Sequence, residues 1–173
     1  ERPRRLFMPK MKAKDRKKKD KYSNRRVTDW GIRKMMQLNF SEQGSGHAVI
    51  LMHGMFGSLS NLGNLARHLA THYRVISVDL RNHGDSPHDP SMDIPSMAND
   101  VVELMDELGL SEASLVGHSL GGKIAMQVAL NHPERVARLV VADISPVAYK
   151  PRQDAALDAL IELSSATILG RAD

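Results

Sequence analysis

Ser119 carries the clearest chemical signal in this sequence. It stands in Gly117-His118-Ser119-Leu120-Gly121-Gly122, between the apolar run Ala113 to Val116 and the apolar helical pattern Ile124 to Leu130. The order is strand, sharp turn, helix, with the serine at the turn, which is the GxSxG arrangement of a nucleophile. Lifting a hydroxyl above a sheet needs a strained turn. Such a turn leaves no room for a Cβ two residues before or after it, and Gly117 and Gly121 meet that demand. The turn also opens a helix, so the Leu120 N–H has no intrahelical acceptor. With the positive helix end behind it, that amide can donate to a developing oxyanion. Three fixed positions are a modest signal in 173 residues. The plain alternative, a glycine-rich turn with an incidental serine, is weakened by the strand before it and the helix after it.

A nucleophilic serine needs a base, a group that orients the base, and a second oxyanion donor. The second donor is expected at Met55. Its loop, His53-Gly54-Met55-Phe56-Gly57, follows the continuously apolar Ala48 to Met52, and a glycine loop after a buried strand can turn its amides toward the crevice above the strand ends. An ordinary apolar loop residue is the plain alternative. Asp143 is the expected orienting acid, because it lies at the carboxyl end of a strand over residues 138–144; capping the next turn is its plain alternative. The base is missing. A serine on this kind of elbow is followed by the acid and then by histidine, and no histidine comes after His132. His118 adjoins Ser119, but neighbours on a tight elbow point apart. His53 and His83 are the fallback bases, and His53 reads first as a structural loop histidine. Asp79 and Arg81 read as groups that fix the polar loop from Leu80 to Pro87.

The elements that must position these residues follow from periodicity. Met36 to Glu42 alternates Leu38 and Phe40 with polar residues, as an edge or antiparallel strand does. Gln43 to Gly46 is a turn, and no helix opens behind it, so it is not a dinucleotide loop. Ser60 is expected to cap a helix with Leu62, Leu65, Ala66 and Leu69 on one face. Tyr73 to Asp79 is the next strand. Pro95 opens a helix through Leu108 with Met97, Val101, Leu104, Met105 and Leu108 inward, and Gly109 stops it. The helix after Ser119 is apolar nearly all round and should be buried. A further helix is expected from Pro151.

Composition bounds the rest. The chain is long enough for one domain with a real core and has no cysteine, so neither disulfides nor thiolate chemistry enter. No apolar run approaches a membrane span, and none follows Glu1-Arg2-Pro3-Arg4 as a secretory signal requires. Charge is split. Residues 1–35 carry 15 Lys/Arg against 4 Asp/Glu, whereas residues 36–173 carry 9 against 16. The basic segment contains Arg16-Lys17-Lys18-Lys19 and too few apolar residues to bury. It reads as a disordered tail or as translated leader upstream of Met36. An arm for nucleic acid or anionic membrane is the functional alternative.

Four stretches together resemble the α/β-hydrolase superfamily, specifically its bacterial YbfF-type esterases. They are His53 to Ser58 with Asn61-Leu62-Gly63, Asp79 to Gly84 with Ser86-Pro87, Gly117 to Lys123, and Asp143 to Val147 with Tyr149. The resemblance implies an α/β fold with a mostly parallel sheet and helices on both faces. It covers residues 36–163 and makes residues 36–173 the N-terminal part of such a domain, leaving off after the strand following the elbow, with 151–173 beginning a cap. It further implies a soluble, metal-free hydrolase of short to medium acyl esters or thioesters; no cofactor and a cytoplasmic location are expected. Asp143 is supported as the acid, and the catalytic histidine is expected outside this chain. A non-catalytic binding module of the same fold is the rival reading. The strand before Asp143 is expected to expose a sheet edge that favours aggregation.

Overall fold

The computed structural model describes residues 36–148. The basic segment 1–35, Tyr149, and the helix and cap expected from Pro151 lie outside the described residues.

Five strands form one sheet: β1 (Phe40–Gln43), β2 (Ala48–Met52), β3 (Arg74–Val78), β4 (Ala113–His118) and β5 (Val136–Ala142). Their order is β1-β3-β2-β4-β5. β1 is antiparallel to β3 and all other pairs are parallel. The edge strand is shorter than its alternating pattern suggests. Only Phe40 onward finds ladder partners, while Leu38 is buried ahead of the strand. β5 begins and ends two residues earlier than expected, so Asp143 follows the strand instead of standing inside it.

Strand residues alternate between two cores. Ile50, Met52, Ile76, Val78 and Leu115 pack against α2 (Ile94–Glu107) and α3 (Leu120–Asn131). Val49, Leu51 and Val75 pack against Ala66 of α1 (Gly63–Leu69). The central strands are thus covered on both faces, which is why β2 is apolar at every position. Two helix readings need correction. Ser60 caps nothing: a 3-10 turn over Leu59–Leu62 comes first, because Asn61 Oδ1 takes the Ser58 N–H at 2.6 Å and the Asp79 carboxylate takes the Leu59 N–H at 2.7 Å. Leu65 then turns outward. In α3 the buried residues are Gly121, Gly122, Ile124, Ala125 and Val128; Leu130 on the far side is exposed. Exposed Leu139 and Val140 lie on β5, the outer strand among the described residues.

α2 is built as its sequence suggests. Asp93 caps it by accepting the Ser96 N–H at 2.8 Å, Pro95 sits in the first turn, and Gly109 takes φ +66° just past the end. The Ser96 amide, with the hydroxyls of Ser91 and Ser96, holds the Asp93 pKa down to about 2. From the other side, α2 anchors the loop after β3. Arg81 forms a bidentate pair with Asp100, both bonds 2.6 Å, and also donates to the Ser91 carbonyl at 3.0 Å. Both side chains of that pair are buried.

Two outcomes are expected. Asp100→Ala leaves the buried Arg81 without its main partner and should cost about 3–5 kcal/mol in urea unfolding, while Arg81→Met combined with Asp100→Leu should cost much less. Asp93→Ala should lower Tm at neutral pH. Because the folded pKa is depressed, the cap contributes above the ordinary carboxylate pKa of 3.8 and is lost as pH falls through about 2, so the Tm difference should close over that range.

Candidate active site

The sheet register brings four loops to one level. Met52 pairs with Val78 and with Gly117, and His118 pairs with Ala142. The residues that follow, His53, Asp79, Ser119 and Asp143, therefore all leave the sheet at its carboxyl edge, where ligands bind in open α/β sheets.

Ser119 sits at φ 50°, ψ −110°, a conformation that costs an L residue energy. Bonds on both sides hold it there. The Ser119 N–H donates to the Ala142 carbonyl at 2.9 Å, and the Ser119 carbonyl accepts the Lys123 N–H at 3.1 Å. The flanking glycines are steric necessities. A Cβ on Gly117 would stand 2.2 Å from the Gly121 carbonyl oxygen, and one on Gly121 would stand 2.4 Å from that of Met52. That closeness lets the Gly121 N–H reach the His53 carbonyl at 3.1 Å and ties the elbow to the loop after β2.

Some backbone donors of these two segments are engaged and others are not. In the loop after β2, the Phe56 N–H goes to His83 Nε2 at 3.2 Å and the Gly57 N–H to the Gly54 carbonyl at 3.1 Å. In the elbow, the Ser119 and Gly121 amides are used as described. Among the described residues, the N–H groups of Met55 and Leu120 have no acceptor. The two segments also touch: a methyl on Gly54 would lie 3.3 Å from Ser119 Cβ and 2.8 Å from His118 Nδ1. A cleft of about 350 Å³ lies above this contact, lined by Gly54, Met55, Phe56 and His118 among others. A second, of about 490 Å³ and including Met55, Phe56, His83 and Met92 in its lining, lies beyond Phe56.

Asp143 is 84% exposed, at φ 57°, with its carboxylate 3.5 Å from His118 Nε2. Its loop is tethered by Lys123, whose ammonium donates to the carbonyls of Ser145 at 2.8 Å and Val147 at 2.5 Å. The sequence named Lys123 within the elbow motif but assigned it no such role; only the approach of α3 to the loop after β5 reveals it.

The fallback histidines are committed elsewhere. His53 Nε2 accepts the Leu80 N–H at 3.1 Å and its Nδ1 bonds the Gly54 carbonyl at 2.7 Å. Burial holds its pKa below the ordinary histidine value, against the opposing pull of that carbonyl. His83 uses Nδ1 on the Arg81 carbonyl at 2.8 Å and Nε2 on Phe56. Among the described residues the Ser119 hydroxyl has no hydrogen-bond partner. Asp79 is a loop hub, as its sequence position suggests: it accepts the amides of Leu59 and Asp85 and the Asn39 side chain. Burial pushes its pKa up, but those three donors together hold it below the usual value. Among the described residues, no group of three or more His, Asp or Glu side chains could hold a metal ion, and no helix is long and apolar enough to cross a membrane.

A sequence model of the family described as alpha/beta hydrolase fold matches residues 47–160. The chain is 43% identical over 129 residues to the esterase YbfF of Escherichia coli K12, covering 72% of this chain and 51% of that protein. It is 50% identical over 106 residues to the mouse sn-1-specific diacylglycerol lipase ABHD11, covering 60% and 34%. A solved marine microorganism esterase superposes with a TM-score of 0.70 at 36% identity, over 76% of this chain and 52% of that one. The chain thus spans about half the length of YbfF and about a third of ABHD11.

Because a Cβ at residue 121 meets backbone, Gly121→Ala should push the elbow off the loop after β2. We expect lower thermal stability and exposure of the backbone amide at position 121 to hydrogen exchange. An unchanged melt and a still-protected amide would contradict the packing argument.

Proposed function

The chain belongs to the alpha/beta hydrolase fold family, and from that membership we propose that the protein is a serine carboxylic-ester hydrolase. It acts on short to medium acyl esters or thioesters, in the cytoplasm, through an acyl-Ser119 intermediate. Residues 36–173 form the N-terminal part of its domain.

The observation that supports this most is the pair of unengaged amides, Met55 and Leu120, beside a serine on a strained turn. In the proposed reaction Ser119 Oγ attacks the acyl carbon and passes its proton to a base. The carbonyl oxygen becomes an oxyanion that the two amides stabilise, and the alcohol or thiol leaves with the proton. Water then repeats the attack on the acyl-serine. Asp143 is assigned as the acid that orients the base. The base itself is assigned to the half of the YbfF length that this chain does not cover. The Asp143 carboxylate is exposed, and among the described residues the His118 ring lies beside it.

One observation favours a second reading, a non-catalytic binding module: among the described residues no histidine engages Ser119. A fluorophosphonate probe separates the two, since only an activated serine is phosphonylated.

In the full gene product, Ser119→Ala should lower turnover of p-nitrophenyl butyrate by at least about 1,000-fold, and Asp143→Asn by a comparable factor. Unchanged turnover in Ser119→Ala, together with no labelling of the parent protein, would reject the hydrolase reading.

A further inference from the structure

We propose that His53 and His83 are paired positioning residues that hold the Met55 amide ready for an anion, each histidine clasping the backbone of the other's loop. The proposal rests on the serine-hydrolase reading above.

The geometry is reciprocal. His53, in the loop after β2, accepts an amide from the loop after β3, that of Leu80, at 3.1 Å. His83, in the loop after β3, accepts an amide from the loop after β2, that of Phe56, at 3.2 Å. Each ring turns its other nitrogen to a carbonyl of its own loop, Gly54 at 2.7 Å and Arg81 at 2.8 Å. Since each Nε2 receives an N–H, each proton sits on Nδ1, and all four ring nitrogens are used. The rings meet edge to face with centroids 5.1 Å apart, and both are buried.

The backbone between the clasped points needs holding. Phe56 sits at φ 61° although it is aromatic and 69% exposed. The left-handed region costs an L residue about 1–2 kcal/mol, and no burial of the ring offsets it here. The His83 bond to the Phe56 amide and the Gly57 bond to Gly54 fix that conformation. They engage the amides of residues 56 and 57 and leave that of Met55, which lines the cleft, without an acceptor among the described residues. An oxyanion donor is effective only if it is in place before charge develops. A neutral imidazole suits the task, because it carries a donor and an acceptor on a rigid ring and adds no charge beside the oxyanion.

The test uses the full gene product and p-nitrophenyl butyrate. Ser119→Ala is measured first: retained turnover overturns the hydrolase reading and this proposal with it. If turnover is lost, the His83 variants decide the proposal alone. His83→Asn keeps a donor near the Nδ1 position and loses the acceptor. It should lower kcat by about 100-fold with KM near the parent value. His83→Gln returns an amide oxygen toward the Nε2 position and should recover about tenfold of that loss. Equal kcat in the parent and His83→Asn, or equal losses in the Asn and Gln variants, overturns the proposal. Should the variants fail to fold, long-range ¹H–¹⁵N spectra of the parent decide. Protonated Nδ1 and bare Nε2 on both rings, with a protected Phe56 amide, support the clasp; a protonated Nε2 on either ring overturns it.

Discussion

The site depends on one close approach, that of the backbone at Gly121 to the end of β2. The Gly121 amide reaches the His53 carbonyl only because no Cβ intervenes, and a methyl there would overlap the Met52 carbonyl oxygen. Gly117 makes the same concession from the other side of the turn. Through this contact the start of α3 and the loop after β2 become one body. Ser119 and the amides of Met55 and Leu120 are then held by shared backbone rather than by flexible side chains. The positive φ at Ser119 is the strain that this arrangement stores.

Around that contact, the crevice loops are stabilised as polar structures, not as apolar ones. Asp79 gathers amides from two loops and the side chain of Asn39, and Arg81 is clamped by Asp100 of α2. Every such loop group removed from water must find a partner, because an unpaired buried donor or acceptor costs about 1–3 kcal/mol. The loops therefore satisfy one another across the sheet's carboxyl edge. Amides left unengaged within such a network, as at Met55 and Leu120, are notable for that reason.

Much of this was legible in the residues. β2 was legible because it is apolar throughout, and α2 because its cap, proline and terminal glycine each have a local cause. The elbow was legible because only glycine fits at residues 117 and 121. The boundary of β5 was not, since Ala142, Asp143 and Ile144 have no local mark of where pairing with β4 ends. Nor was the start of α1: Ser60 is a sound cap by type, but Asp79, distant in sequence, satisfies the Leu59 amide and shifts the start of regular helix.

The order of strands and helices along the chain and the strained serine turn could be read from the residues alone. These depend on local sterics and periodicity, which neighbours in the chain dictate. Folding alone settles which amides remain unengaged, that His53 and His83 each bond the backbone of the other's loop, that Lys123 holds the loop after β5, and that Asp143 lies near His118. Each of these is a contact between segments that lie apart in the chain and meet at the carboxyl edge of the sheet. Hydrogen-bond partners there are assigned by strand order and register, which no local pattern encodes.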